Sequence, residues 1–194
     1  MDLKQAQAWL NTFFISIEEH KAYLSELDNP IGDGDHGYNM ARGCTAAKEA
    51  LEASPPTDLN DLFKSVGMSL LSKVGGAAGP LYGSVFLAFA KVSLDTVSVE
   101  DYQAFFQTGL DAIVMRGKAT VGEKTMVDVW HPFITQFPKS ASVTMIDAFV
   151  EATKPLKATK GRAAYLGERS IGHTDPGSFS SGLLFKAFIR SVSV

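Results

Sequence analysis

The first 28 residues read MDLKQAQAWLNTFFISIEEHKAYLSELD, and their spacing decides the fold class. Leu3, Ala6, Leu10, Phe13, Ile17, Leu24 and Leu27 recur at intervals of three, four and seven, which is one apolar stripe on a helix of 3.6 residues per turn. The period continues downstream. Met40, Cys44, Ala47 and Leu51 make a second stripe, and Leu59, Leu62, Phe63, Val66 and Leu70 a third, behind a cap at Thr57 or Asp58. Residues 81–91 are apolar nearly all round, as a buried helix is. Ser98 and Asp101 have capping-box spacing, with Asp for the usual Glu, ahead of a helix carrying Tyr102, Phe105, Phe106, Leu110 and Ile113. Further helices are expected at about 125–137, 142–158 and 179–192, with Pro132 and Pro155 kinking or ending two of them. Strict apolar–polar alternation is rare, so strands are not expected. The sum is an all-α bundle of about eight helices.

At 194 residues, one domain over 1–194 is the expectation, and a domain of that size buries roughly 70% of its unfolded surface. The net charge of −3 lacks the basic surplus of a nucleic-acid binder. Cys44 is the single cysteine, which excludes an internal disulfide and a cysteine zinc site. The start lacks a basic-then-apolar leader, and no run approaches the ~18 apolar residues of a membrane span. A cytoplasmic protein with no membrane or nucleic-acid partner is expected.

Four connections between the helices are rich in glycine and charge: 28–37 (DNPIGDGDHG), 73–80 (KVGGAAGP), 116–126 (RGKATVGEKTM) and 160–177 (KGRAAYLGERSIGHTDPG). Alternate connections of an up-and-down bundle share an end, so such loops can line one site. In the first loop Asp28, Asp33 and Asp35 crowd three carboxylates into eight residues. They repel one another unless a cation sits among them, and hard oxygen ligands suit Mg²⁺. Gly32 and Gly34 alternate with the aspartates and let the backbone aim both at one point. Gly37 and Asn39 open the next helix, whose free N–H groups suit a phosphate.

Other readings of this loop fail. Gly32, Gly34 and Gly37 spell G-x-G-x-x-G, but the dinucleotide fingerprint follows a strand and here a helix precedes it. An EF-hand loop begun at Asp33 would put Cys44 at the glutamate position. No Walker motif or protein-kinase signature occurs.

In the other loops, the small residues 75–80 can let a ligand touch backbone amides. Arg116, Lys118, Lys124, Arg162 and Arg169 are candidates for offsetting phosphate charge, arginine by bidentate contact. Asp175-Pro176-Gly177 reads as a turn, and Met126 as core or as an apolar neighbour for a base. His36, inside the acidic loop, can donate to a phosphate oxygen, act as a base or carry a phosphoryl group. His131, before Pro132, reads as packing.

The run GDGDHGYNMARG at 32–43 resembles the signature of DhaL, the ADP-binding subunit of bacterial dihydroxyacetone kinases. GGAAGPLYG at 75–83, RGKATVGEKTMVDVW at 116–130 and ATKGRAAYLGERSIGHTDPGS at 158–178 are similar to that family's other blocks, in the same order. The resemblance implies an up-and-down barrel of eight antiparallel helices with the nucleotide at one end. It implies Asp28, Asp33 and Asp35 as ligands of two Mg²⁺ ions, and His36, Gly37, Tyr38 and Asn39 as the phosphate-binding segment. It further implies Ala77, Ala78, Gly79, Gly117, Met126, Arg162, Asp175, Pro176 and Gly177 as nucleotide contacts, and no catalytic nucleophile. Glu123 departs from an expected Asp and Ala78 from a common Ser.

Members of that family keep ADP/ATP as a fixed cofactor. A phosphotransferase-system partner, DhaM, rephosphorylates it, and the phosphoryl group passes to dihydroxyacetone held by the DhaK subunit. A chain beginning at the first helix, with His36-Gly37 and Asn39, favours this separate-subunit type over ATP-dependent fusions. Two alternatives share the same nucleotide site: the nucleotide domain of another kinase, such as fatty acid kinase, and a regulator that senses its nucleotide state and binds a transcription factor.

Overall fold

The computed structural model describes residues 1–92, 95–137 and 142–192. Among these there are eight α-helices and no strand: α1 Leu3–Asp28, α2 His36–Ala53, α3 Leu59–Lys73, α4 Ala78–Val92, α5 Tyr102–Gly117, α6 Val127–Gln136, α7 Val143–Glu151 and α8 Pro176–Val192. Each packs against its neighbours in sequence, and α8 closes the ring on α1. The result is an up-and-down barrel. None of the helices is long and apolar enough to cross a membrane.

The apolar stripes point into the barrel. Trp9 of α1 is fully buried, with Phe63, Phe86, Phe89, Phe106 and Phe188 around it at centroid distances of 5.2–6.4 Å. Its indole N–H donates to the Leu184 carbonyl at 2.9 Å, so the one polar atom of this core side chain is satisfied. Truncating such a residue costs about 3–5 kcal/mol. Helix α4 has no exposed residue over 78–90, as its uniform apolarity requires.

Local chemistry sets the helix ends. Asp2 and Gln5 form a capping box on α1, and Asp58 and Ser142 cap α3 and α7. Four expectations need correction. Ser98 and Asp101 bond each other in a turn that precedes α5, and the helix itself starts at Tyr102. Helix α7, expected to reach about 158, stops at Glu151, four residues before Pro155, which ends it as expected because its ring and missing N–H exclude the next helical turn. Residues 162–170, read as open loop, form two short 3-10 turns across a kink at Gly167. Pro132 lies inside α6, and His131 is exposed rather than packed.

Candidate functional site

In an up-and-down barrel the even helices all begin at one end. A cavity of about 670 Å³ opens there. It is lined by residues at or just before the N-termini of α2, α4, α6 and α8: Asp35 and His36; Ala77 and Ala78; Thr125 and Met126; Asp175 and Pro176. Each helix N-terminus carries about half a positive charge, although several of the first N–H groups of α2, α6 and α8 are already held by Asp28, Ser25, Thr125 and Asp175. Four such ends on one cavity give it a field that favours negative charge.

The opposite charge gathers at the end of α1. One carboxylate oxygen from each of Asp28, Asp33 and Asp35 lies within 4.8 Å of the others. The backbone explains the cluster. Asp28 is buried, and its Oδ2 accepts the N–H groups of Asp35 (3.0 Å) and His36 (3.2 Å), so it caps α2 from the end of α1. Burial raises its pKa, while those two N–H groups act to lower it. A Cβ on Gly32 would collide with Asp28 Oδ1, and Gly34 takes a φ of +75° with the Asn29 side chain against it. Both glycines are therefore required for the turn, one by space and one by backbone conformation. Three carboxylates, two of them exposed, fit a hard divalent cation with room for water and phosphate in its shell.

His36 follows on the cavity floor. Its Nε2 lies 3.1 Å from Ser180 Oγ of α8, and burial lowers its pKa to about 4. The ring is neutral at physiological pH, which counts against service as a cationic phosphate clamp. Asn39, which lines the cavity, accepts the Arg42 Nη2 N–H on its Oδ1 at 2.6 Å. Arg42 also bonds the Lys73 carbonyl at 2.9 Å, which ties α2 to the glycine-rich entry of α4.

The far wall is the 116–126 loop, held by two buried polar side chains. Asp128 accepts the N–H groups of Gly122 (2.5 Å) and Thr125 (2.8 Å). Lys124, at φ +60° and 1% exposed, donates its ammonium to the carbonyls of Thr153 (2.8 Å) and Lys154 (3.1 Å). Lys124, which also lines the cavity, thereby braces the loop against the residues that follow α7. Glu123 accepts from Thr120 N and Thr159 Oγ1 and faces Lys160, clasping this loop to the 158–163 segment. Beyond that segment Arg162 reaches across the mouth to Asp33 at 2.7 Å, and Tyr165 stands 90% exposed on the rim.

Asp175-Pro176-Gly177 is the start of α8 and not a free turn. Asp175 caps the helix by accepting the Ser178 N–H at 2.6 Å, with Pro176 in the first helical position. Burial raises the Asp175 pKa to about 6.

The structure thus brings Asp28, Asp33, Asp35, His36, Asn39, Ala77, Ala78, Gly117, Met126, Arg162, Asp175, Pro176 and Gly177 to one cavity. Three expected contacts lie outside its lining. A Cβ on Gly37 would strike the Lys21 carbonyl and one on Gly79 the Val74 carbonyl, so these glycines serve close helix packing, while Tyr38 is 55% exposed outside the cavity. Leu81, Ile113 and Tyr165 line it without having been singled out for it, because two read as core positions and one as part of a loop.

A model of the DAK2 domain matches residues 30–190. The chain is 54% identical over 186 residues to the PTS-dependent dihydroxyacetone kinase, ADP-binding subunit DhaL of Lactococcus lactis, covering 95% of both. It is 50% identical over 192 residues to the PEP-dependent dihydroxyacetone kinase 1, ADP-binding subunit DhaL of Listeria innocua, covering 98% of this chain and 97% of that one. The native crystal structure of the dihydroxyacetone kinase of C. freundii superposes with a TM-score of 0.72 at 25% identity, over 98% of this chain and 35% of that one. On this fold and these matches, the chain belongs to the DAK2 domain family and, within it, to the DhaL family of dihydroxyacetone kinase subunits.

Proposed function

We propose that the chain, as one nucleotide-binding domain over 1–194, is the ADP-binding subunit of a phosphotransferase-system-dependent dihydroxyacetone kinase. The observation that carries this reading is the meeting of a three-carboxylate cluster with four helix N-termini in one cavity. A magnesium–nucleotide complex has the matching charge pattern: a cation that needs oxygen ligands and phosphates that need N–H donors.

Asp28, Asp33 and Asp35 would hold the metal, with two Mg²⁺ ions the expected number. When bound, Mg²⁺ neutralises charge on the moving phosphoryl group. The protein's own residues supply position. The amides of 75–78 bind phosphate oxygens, the start of α2 adds its helix dipole, Asn39 adds side-chain N–H groups, and Arg162 closes from the rim. Leu81, Ile113 and Met126 give a base an apolar bed, and the start of α8 borders it. His36 is a phosphate ligand and not a phosphocarrier, with Ser180 Oγ 3.1 Å from its Nε2 holding the ring in place.

All four glycine-rich connections contribute residues to the metal–nucleotide cavity. Dihydroxyacetone therefore reaches the phosphate on a DhaK-like partner that covers the mouth, excludes water and aligns the acceptor oxygen. A DhaM-like donor restores ATP from bound ADP at the same opening, and a transcription regulator would read that surface in the same way. The test is product formation by the purified chain with Mg²⁺, ATP and dihydroxyacetone, with and without a DhaK partner. Turnover only with the partner is expected; equal rates in both would contradict the proposal.

A further inference from the structure

A buried line of polar side chains runs from the barrel core to His36. Trp130 Nε1 donates to Ser181 Oγ at 3.0 Å. Ser181 Oγ is 3.2 Å from the Tyr82 hydroxyl, which is 2.8 Å from Ser180 Oγ, and Ser180 Oγ is 3.1 Å from His36 Nε2. Tyr82, Trp130, Ser180 and Ser181 are fully buried. Four polar groups placed in an aromatic core are costly unless each is satisfied, so their arrangement has a direction worth tracing.

The direction starts at Trp130, whose indole nitrogen only donates. Ser181 accepts that proton and can pass its own to Tyr82. Tyr82 then donates to Ser180 through the shortest bond of the line. Ser180 has two outlets for its proton, His36 Nε2 and the Gly177 carbonyl, both at 3.1 Å. The Gly177 carbonyl lies in the first turn of α8 and already accepts along the helix, whereas His36 Nε2 has no other partner among the described residues. Electrostatics point the same way. If Ser180 donates to Nε2, the ring proton sits on Nδ1, and an N–H borders the acidic cluster. In the other arrangement a lone pair would lie beside the Asp35 carboxylate, its neighbour in the chain.

We propose that Tyr82 and Ser180 are positioning residues for the nucleotide site: they fix His36 as the Nδ1–H tautomer, so that the ring offers an N–H to a phosphate oxygen. The proposal rests on the nucleotide reading above and adds the origin of one of its donors. Neither residue touches the ligand through its hydroxyl; both act through His36.

The test is the long-range ¹⁵N–¹H correlation pattern of the His36 imidazole, assigned with His36→Gln, in metal-free and nucleotide-free protein. The wild type is expected to show Nδ1 protonated. In Tyr82→Phe, which keeps the ring in place, Ser180 loses its incoming proton. It then accepts from Nε2–H, and the pattern inverts. Ser180→Ala is expected to lose the single tautomer. Calorimetry with Mg²⁺ and ADP should show affinity at least about tenfold lower in both variants, the loss expected for a hydrogen bond to a charged acceptor. A wild type with Nε2 protonated, or a Tyr82→Phe protein with an unchanged pattern, would overturn the relay, and the wild-type spectrum alone suffices whatever the variants' folding. A wild type with Nδ1 protonated that bound no ADP would overturn the nucleotide reading and leave the tautomer assignment standing.

Discussion

Arg162 Nη1 sits 2.7 Å from Asp33 Oδ2, so a cation on one wall of the cavity holds a carboxylate of the other. The pair couples the two binding tasks of the site: a metal ion entering the aspartate cluster competes with the guanidinium, and phosphate offers the displaced guanidinium a new partner.

Arg162→Ala is therefore expected to act in opposite senses on metal and nucleotide. Both partners are well exposed, and such pairs are worth roughly 0–1 kcal/mol, so Mn²⁺ affinity without nucleotide should rise by no more than about fivefold. ADP affinity with Mg²⁺ should fall about tenfold with the loss of a charge-assisted contact. Calorimetry reads both; a change of the same sign in each would contradict the coupling.

Gly32 and Gly76 separate space from conformation. Gly32→Ala would press a methyl group on the Asp28 carboxylate, breaking both the cap on α2 and the metal cluster. Gly76 has a φ of +65° and nothing within 4 Å of an added Cβ, so Gly76→Ala meets backbone strain alone, about 1–2 kcal/mol. Metal titration should show weakened binding in the first variant and near-normal binding in the second. Equal effects on metal would count against the cradle.

Lys124→Met removes the buried ammonium and leaves the Thr153 and Lys154 carbonyls without their donor. A loss of about 2 kcal/mol is expected, which for a chain of this size lowers Tm by roughly 4–8 °C. If Lys124 instead contacted phosphate, the apo melting point would stay fixed while only ADP affinity dropped.

Asp175 gives a pH dependence with a definite sign. Its pKa rises from 3.8 to about 6 on folding, so between those values the folded state binds more protons than the unfolded one. Its contribution to stability is thus fully present below pH 3.8 and is lost as pH rises through about 6. Asn also caps helices and does not titrate here. The difference in Tm between wild type and Asp175→Asn should therefore shift against the wild type over that interval; a constant difference would refute the burial of this carboxyl.

The sequence disclosed most of the barrel because helix burial imposes a period that a stripe such as Leu3 to Leu24 displays directly. Ends were less legible: Pro155 marked that α7 must stop but not that it stops at Glu151, and the 3-10 turns at 162–170 bury one residue, Ser170, and so leave no periodic trace. The acidic cluster could be read locally, since Asp28, Asp33 and Asp35 are close in sequence and space. Lys124 could not. Its ammonium meets carbonyls 29 and 30 residues away, and a lysine in a glycine-rich loop reads equally as solvent-exposed or phosphate-facing. The capping role of Asp175, though not its place at the site, was hidden because a Pro-Gly pair suggests a turn while the structure uses the proline to start a helix.

The most direct measurement is calorimetric titration of ADP into nucleotide-stripped protein, with Mg²⁺ and with a chelator, for wild type, Asp33→Ala and Asp35→Ala. If metal and phosphate share the cavity as described, wild type binds ADP tightly only with Mg²⁺, and both variants bind at least about tenfold more weakly, the cost of losing a charged ligand contact. Equal affinity with and without Mg²⁺, unchanged in both variants, would contradict the account.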